Sequence, residues 1–459
     1  MIDIQKREHI ALRDKRVTVI GLGISGVEAA KLANYHGARV FTSDLSSSEM
    51  VNTHAMDLMH KHHIPSETGV QSDKIYDADL WVISPGISKN NEIVLEAIRR
   101  GIPIVGEIEF ASWFTDSPII AITGSNGKTT TAHALSQMCQ NKDFNGVMAG
   151  NMGLPFSERV LNETLTPDKK RLYILEVSSF QMEFTKHFSP DFVIYTNISE
   201  DHLDRHSTMK EYIQLKIDLS KNLKKEGFII YNRDDNELHK ALKNDPTQKQ
   251  TFSTTYKETL FYLDNNKIIG PSKTILANVK DLKVYGEHNI ANLFAAATCS
   301  YLIGVPENNI SSTIKEFQGV EHRLEHVKFI NNVEFVNDSK ATNIQSVKVA
   351  IDSYNKPIIL ILGGYNKGAD FRPLLPHIKS SNVRDIVSYG DAGGQINTAL
   401  GDAVSSVQVT DLNSAVKKAH SLATPGDIVL LSPGCASFDQ FPNFEVRGNF
   451  YKSIVRNEL

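Results

Sequence analysis

Three stretches of this chain repeat one local grammar: a short apolar run, a glycine-rich or polar turn, then a helical pattern. The first holds VTVI (17–20), ARVFT (38–42) and DLWVIS (79–84). The second holds PIIAIT (118–123), LYILEV (172–177) and FVIYTN (192–197). The third holds VEFVN (333–337), PIILILG (357–363), DIVSYG (385–390) and DIVLLSPG (427–434). Such alternation is the pattern of βαβ units and parallel sheets, so the expected fold class is α/β. Boundaries are expected after IPIVG, near 106, and at FQGVEHRLE, near 318. At roughly 100–200 residues per domain, the length agrees with three domains, namely 1–106, 107–318 and 319–459 of the 459 residues. The stretch 228–285 reads differently. Its short pieces FIIY, TLFYL and KIIG, separated by NRDDN, LDNN and GPS, predict an antiparallel insertion in the middle domain.

Composition removes several classes of function. With 49 Lys+Arg against 53 Asp+Glu the chain is nearly neutral, which argues against a binder that grips nucleic acid through a basic face. Three cysteines, Cys139, Cys299 and Cys435, are too few and too scattered for a disulfide framework or a zinc cluster. MIDIQKREHIALRDKRV has no apolar core of a secretory signal, and runs such as PIILIL are strand-sized, not membrane-sized. A cytoplasmic protein with no membrane contact is expected.

The strongest motif is Thr123-Gly124-Ser125-Asn126-Gly127-Lys128-Thr129-Thr130, between the strand PIIAIT and a helix starting near Thr131. Glycines let a backbone approach phosphate oxygens, and successive N–H groups at a helix start supply positive potential. Lys128 adds a full charge toward β/γ-phosphates, and a threonine hydroxyl can ligate Mg²⁺. The loop is a variant, because Ile122 stands where the usual pattern has its first glycine. The bland alternative is a strand–helix turn with an exposed lysine. Glu176 ends LYILE, and Asn197 ends FVIYTN before Ser199-Glu200-Asp201-His202-Leu203-Asp204. Oxygen and imidazole ligands at adjacent strand ends can share divalent cations; a polar loop with helix caps is the other reading. On a helix over 208–225, Lys216 falls about 40° from Tyr212, on the apolar face. Either it snorkels, or it is a functional, chemically modified lysine near His202.

Gly21-Leu22-Gly23-Ile24-Ser25-Gly26 follows VTVI, and Asp44 follows the second strand. Alone this is a dinucleotide fingerprint, but any nucleotide diphosphate suits the same physics. Ser84-Pro85-Gly86 adds a turn at the same edge. In the third stretch, His322-Arg323, Asn337-Asp338-Ser339-Lys340-Ala341-Thr342-Asn343, Gly363-Gly364-Tyr365-Asn366-Lys367-Gly368 and Ser432-Pro433-Gly434-Cys435-Ala436-Ser437-Phe438-Asp439 put basic residues at strand ends, where an anion or a developing phosphoryl charge needs them. His60, His62 and His63 read as a solvated helix end, and Cys435 as a small packed residue.

Taken in order, GSNGKTT, the strand-end Glu, TNISEDHLDRH, the helical Lys, GEHNIANLFAA, HRLE, NDSKATN and LGGYNKG resemble the Mur ligase family of ATP-dependent peptidoglycan enzymes, over residues 17–451. The block SPGCASFDQFPNFEVRG and the GLGISG opening are similar to the D-glutamate-adding branch. The resemblance implies a Rossmann-like N-terminal domain for UDP, a P-loop ATPase-like central domain and a Rossmann-like C-terminal domain for the amino acid. It implies transfer of the ATP γ-phosphoryl to UDP-N-acetylmuramoyl-L-alanine, and attack of D-glutamate on the acyl phosphate. By motif match, Gly23, Ile24, Ser25, Asp44, Gly86, Asn151 and His202 would line the UDP-substrate site. Gly124 to Thr130, Asn289, Asn292, Arg323 and Lys340 would hold ATP. Thr129, Glu176, His202 and Lys216 would serve two Mg²⁺ ions, Lys216 as a carbamate. Thr342, Lys367, Ser437 and Phe444 would hold D-glutamate. Lys128, His202, Lys216, Arg323 and Lys340 would carry catalysis. Tyr365 and Asn366 stand where some members place an acid. A monomer with only small-molecule partners is expected. The rivals are a ligase for another amino acid (L-Ala, L-Lys, diaminopimelate or a folate glutamate), a nicotinamide-dependent dehydrogenase using GLGISG and Asp44, and a non-catalytic nucleotide sensor.

Overall fold

The computed structural model describes residues 11–141, 143–151, 153–166, 171–199, 208–284, 286–401 and 403–459. The α/β expectation holds, with three parallel or mostly parallel sheets and one small antiparallel sheet. The first sheet runs Ser66–Thr68, Arg39–Asp44, Arg16–Ile20, Leu80–Ile83, Ile104–Gly106, all parallel. Strand order reverses at Arg16–Ile20, so the crevice for a ligand opens beyond Ile20 and Ile83.

The second sheet runs Lys249–Phe252, Phe228–Asn232, Phe192–Tyr195, Ile119–Thr123, Leu172–Glu176, Gly146–Gly150, again all parallel. Ile119–Thr123 and Leu172–Glu176 are buried at every position, as strands covered on both faces must be. Ile122 pairs with Glu176 and Thr123 with Tyr195, so these strands end at one level. The insertion expected over 228–285 needs correction. FIIY, as Phe228–Asn232, continues the parallel sheet beside Phe192–Tyr195, because the helix Met209–Ile217 makes a crossover between them. Only Tyr262–Asp264, Lys267–Ile269 and Ile275–Asn278 form an antiparallel sheet.

The last sheet runs Glu325–Ile330, Val333–Asn337, Ile428–Gly434, Ile358–Gly363, Val383–Tyr389, Ser405–Gln408. Its first strand is antiparallel and reached by a two-residue turn, Asn331-Asn332, with φ of 50° and 62°, the left-handed geometry a tight hairpin needs. Alternate residues of Ile358–Gly363 feed two cores. Ile358, Leu360 and Leu362 pack with Val347, Ile351 and Ile396; Ile359 and Ile361 pack with Val416, Tyr451 and Ile454.

The chain forms two compact units: residues up to Lys280 with Ala291–Ile314, and Asp281–Ile290 with Lys315–Leu459. Within the first, one core runs from Val17 and Leu32 through Phe110 and Phe156 to Tyr173 and Leu175, joining the first two sheets. The short helix Glu107–Ser112 lies at that junction. Buried Glu109 accepts from the backbone N–H groups of Lys186 and His187, and buried Glu107 accepts from Ser157 N at 2.6 Å. Burial pushes the Glu107 carboxyl up to about 7. Among the described residues no helix is long and apolar enough to cross a membrane. All three cysteines are free and buried, and burial pushes the Cys435 thiol up to about 12, in keeping with a packed residue.

Candidate active site

The phosphate-loop motif leaves the central strand at Thr123 and enters the helix Lys128–Met138, whose N-cap is Gly127. The helix therefore begins three residues before the expected Thr131. Gly127 (φ 84°) and Gly124 (φ 150°) lie where side chains are disfavoured. A Cβ on Gly124 would run into Thr196 Oγ1, and one on Gly127 into Asn292 Oδ1. The neighbouring strand end braces the loop: Asn126 N donates to Asn197 Oδ1 at 2.9 Å, while Asn197 Nδ2 and Thr196 Oγ1 donate back to Asn126 O at 3.0 and 2.6 Å. Asn197, a metal candidate in the sequence, is thus a clip that ties the loop to the neighbouring strand end.

The pairing of strand ends brings Glu176 to the loop. Its carboxylate accepts from Thr129 Oγ1 at 2.8 Å and from Asn151 Nδ2 at 2.9 Å, and is almost fully buried. Lys216 sits on the inner face of Met209–Ile217, and only 2% of it is exposed. Its Nζ donates to Gly124 O at 3.0 Å and lies 4.6 Å from the Tyr212 ring. Snorkelling is thereby overturned, since a snorkelling head group would be in water. Lys128 Nζ donates to the same Gly124 oxygen at 2.8 Å and to Ser125 O at 2.9 Å. Tyr212 OH lies 3.1 Å from Ser125 Oγ, which also donates to Ser199 O and accepts from Ser199 N, both at 2.9 Å. His202, with Glu200, Asp201 and Asp204, lies outside the described residues. Asn292 is buried beside the loop, with Thr131 Oγ1 3.5 Å from its Oδ1; Asn289 lies in the first turn of the same helix, Glu287–Ile303.

At the first sheet's crevice, Gly21 (φ 94°) turns the chain so that Leu22 N meets Asp44 Oδ2 at 2.6 Å. Asp44 Oδ1 accepts from Ser46 N at 2.8 Å, so this carboxylate shapes the turn. Ile24 and Gly86 are exposed, and Gly23 and Ser25 half-buried, at the switch-point edge. His60 and His63 are exposed at the end of Glu49–His62, as a solvated helix end should be, but His62 is half-buried there, and burial lowers its pKa.

In the second unit, His322 (φ 64°) and Leu324 (φ 44°) flank Arg323, a backbone strain of the kind found at functional sites. Lys340 N donates to His322 O at 3.0 Å, and Lys340 Nζ lies 5.4 Å from the Phe444 ring. Ser437 is buried, while Thr342 and Lys367 stand exposed at neighbouring strand ends.

Known proteins match this chain along nearly its whole length. Residues 15–106 match the MurD-like N-terminal domain of Mur ligases, 122–300 the Mur ligase middle domain, and 322–435 the Mur ligase glutamate ligase domain. The UDP-N-acetylmuramoylalanine–D-glutamate ligase of Christiangramia forsetii is 37% identical over 454 residues, covering 96% of this chain and 99% of its own. The chain belongs to the Mur ligase family. The enzyme of the same name from Chloroherpeton thalassium is 35% identical over 98% of this chain and 99% of its own. Two solved structures share the fold: a pseudomurein peptide ligase type C from Methanothermus fervidus (TM-score 0.57, 18% identity, 92% of this chain and 97% of that one) and a MurF ligase from Thermotoga maritima in complex with ADP (TM-score 0.57, 14% identity, 100% and 98%).

A Mur ligase is an ATP-dependent ligase of peptidoglycan synthesis, so the dehydrogenase reading of GLGISG is set aside. The motifs of this Mur ligase contain two buried polar residues, Asp338 and Arg447, to which the sequence reading gave no role. Asp338 receives Ser432 Oγ at 2.8 Å, and burial pushes its carboxyl up to about 7. Arg447, fully buried, donates to Ser339 Oγ, Ser339 O, Cys435 O and Ala436 O. The available signal was an arginine inside FEVRGNF, on a helix whose neighbours are core residues.

Proposed function

We propose that this Mur ligase joins D-glutamate to UDP-N-acetylmuramoyl-L-alanine, consuming ATP through an acyl phosphate and releasing ADP and phosphate. The observation that carries the reading is the convergence of Lys128 and Lys216, from different helices, on the one carbonyl oxygen of Gly124. Lys128 there supplies the positive charge that a terminal phosphoryl needs, and Lys216 stands close enough to carry a ligand for the accompanying cation, so the work is positioning and charge with little covalent chemistry by the protein.

Lys128 and the loop amides from Gly124 to Thr130 would hold the β/γ-phosphates, and Asn289 and Asn292 the adenine side. Among the described residues no three His, Cys, Asp or Glu cluster as a metal cage. One buried carboxylate beside a hydroxyl, Glu176 and Thr129, suits Mg²⁺, which binds through one or two carboxylates, water and substrate phosphates. Bound there, Mg²⁺ would neutralise charge on the phosphoryl oxygens. A second Mg²⁺ would use His202 and Lys216. For that role the neutral Lys216 amine takes up CO₂ and loses a proton, turning a cation into an oxygen ligand. A buried lysine beside a phosphate loop is a reasonable candidate for such chemistry.

Gly23, Ile24, Ser25, Asp44, Gly86, Asn151 and His202 would line the UDP-substrate site. Arg323 and Lys340 would meet phosphate oxygens. Thr342, Lys367, Ser437 and Phe444 would hold D-glutamate, with Lys367 on a carboxylate. The domains are read as 1–106, 107–318 and 319–459, in a cytoplasmic monomer.

The test is phosphate release with ATP, UDP-N-acetylmuramoyl-L-alanine and one amino acid at a time. D-Glutamate should support release, and L-Ala, L-Lys, diaminopimelate and L-Glu should not; release with any of those in place of D-glutamate would reassign the substrate. Lys216→Arg and Lys216→Met should both lower turnover by about 10²-fold or more, the scale for losing one preorganised charge-stabilising group. Arginine keeps the cation but takes up no CO₂. A Lys216→Arg enzyme at parental turnover would end the carbamate assignment.

A further inference from the structure

Two aromatic side chains stand in water at the ligand-facing edge of the last sheet: Tyr365, 45% exposed, and Phe438, 59% exposed. They belong to different loops, one after Ile358–Gly363 and one after Ile428–Gly434. The loops are tied together. Tyr365 N donates to Ala436 O at 2.9 Å, and Ala436 N to Tyr365 O at 3.1 Å. Gly364 (φ 123°) permits this approach, since a Cβ there would run into Ala436 O. Asn366 stiffens the next turn: its Oδ1 accepts from Gly368 N at 3.0 Å and Ala369 N at 2.7 Å, and its Nδ2 donates to Gln395 Oε1 at 2.7 Å.

Lys367 and Phe438 each lie two residues beyond this pair of hydrogen bonds, and the Lys367 ammonium stands 5.1 Å from the Phe438 ring centroid. The Tyr365 ring lies 6.5 Å from Phe438 on the same edge. Among the described residues no carboxylate pairs with Lys367. An aromatic face attracts an ammonium through its quadrupole without neutralising it. A lysine held in this way keeps its charge for an incoming anion and loses fewer rotamers when that anion arrives.

We propose that Phe438 is a positioning residue, a π platform that orients Lys367 for capture of the amino-acid substrate's carboxylate. The inference rests on the reading of Lys367 as that carboxylate's partner. It deepens that reading by naming an aromatic residue that acts through the lysine and does not itself bond the substrate. Because Phe438 is exposed, its replacement should leave the fold intact.

The experiment compares full-length parental, Phe438→Leu and Phe438→Trp enzymes by phosphate release, varying D-glutamate, ATP and UDP-N-acetylmuramoyl-L-alanine in turn. Leucine keeps apolar bulk without a π face; tryptophan keeps the face. Phe438→Leu should raise KM for D-glutamate about 2–5-fold, the scale of an exposed cation–π contact, with kcat and the other two KM values unchanged. Phe438→Trp should restore the parental KM or lower it. An unchanged KM in Phe438→Leu, equal losses in the leucine and tryptophan variants, or all constants moving together would overturn the proposal. If the parental enzyme releases phosphate with another amino acid and not with D-glutamate, the substrate reading falls, and the platform's role in it falls too. A parental enzyme that uses D-glutamate beside an indifferent leucine variant removes only the platform.

Discussion

Lys128→Ala is expected to lower ATP turnover by about 10²–10³-fold, the scale for removing one preorganised electrostatic group. The side chain springs from the first turn of Lys128–Met138 and folds back over its own loop, donating to Gly124 O and Ser125 O at 2.8 and 2.9 Å. It is therefore already held beside the amides that would face the phosphates. Alanine is the best helix former, so the helix should persist and the loss should be chemical. The loop is also held independently of the lysine, by Asn197 and Thr196. ADP release at saturating substrates, with circular dichroism as the control for folding, checks this. A variant within about threefold of parental turnover, where the preorganised-group scale predicts far more, would sink the assignment of the loop.

Arg447→Met should destabilise the unit carrying residues 315–459 by roughly 3–5 kcal/mol. The guanidinium is fully buried and spans two strand-end loops, Ser339 on one side and Cys435 and Ala436 on the other, at 2.7–3.1 Å. Methionine fills similar volume but leaves three backbone carbonyls without their charged donor. Nearby Asp338 also loses a favourable positive charge, and its carboxyl, already raised by burial, should rise further. Calorimetry should show a fall of about 10 °C in that unit's transition, from the usual 2–4 °C per kcal/mol at this size. A shift under about 1 °C would mean that other groups hold the two loops, because that scale equates it with well under 1 kcal/mol.

Much of the fold was legible because buried parallel strands are short, continuous apolar runs between helical patterns. Each such run named above is a strand of the structure. FIIY was misassigned, as its apolar pattern does not say whether a neighbour runs parallel or antiparallel. The crossover through Met209–Ile217 decides that. The phosphate loop was legible because its glycines, lysine and threonines lie consecutively. Lys216 was legible because helical periodicity put a charge on an apolar face, and that face is buried.

Local order along the chain thus determined the α/β class, the glycine turns, and which charged residues stand at strand ends, since strand, turn and helix preferences act over a few residues. Tertiary structure alone decided that Lys216 and Lys128 meet at one carbonyl, that Asn197 clips the loop, that Arg447 is buried between two loops, and that Lys367 rests on Phe438. Those contacts join residues 71 or more positions apart, apart from Arg447 with Cys435 and Ala436, or depend on how a side chain folds back, so sheet register and loop closure had to place them.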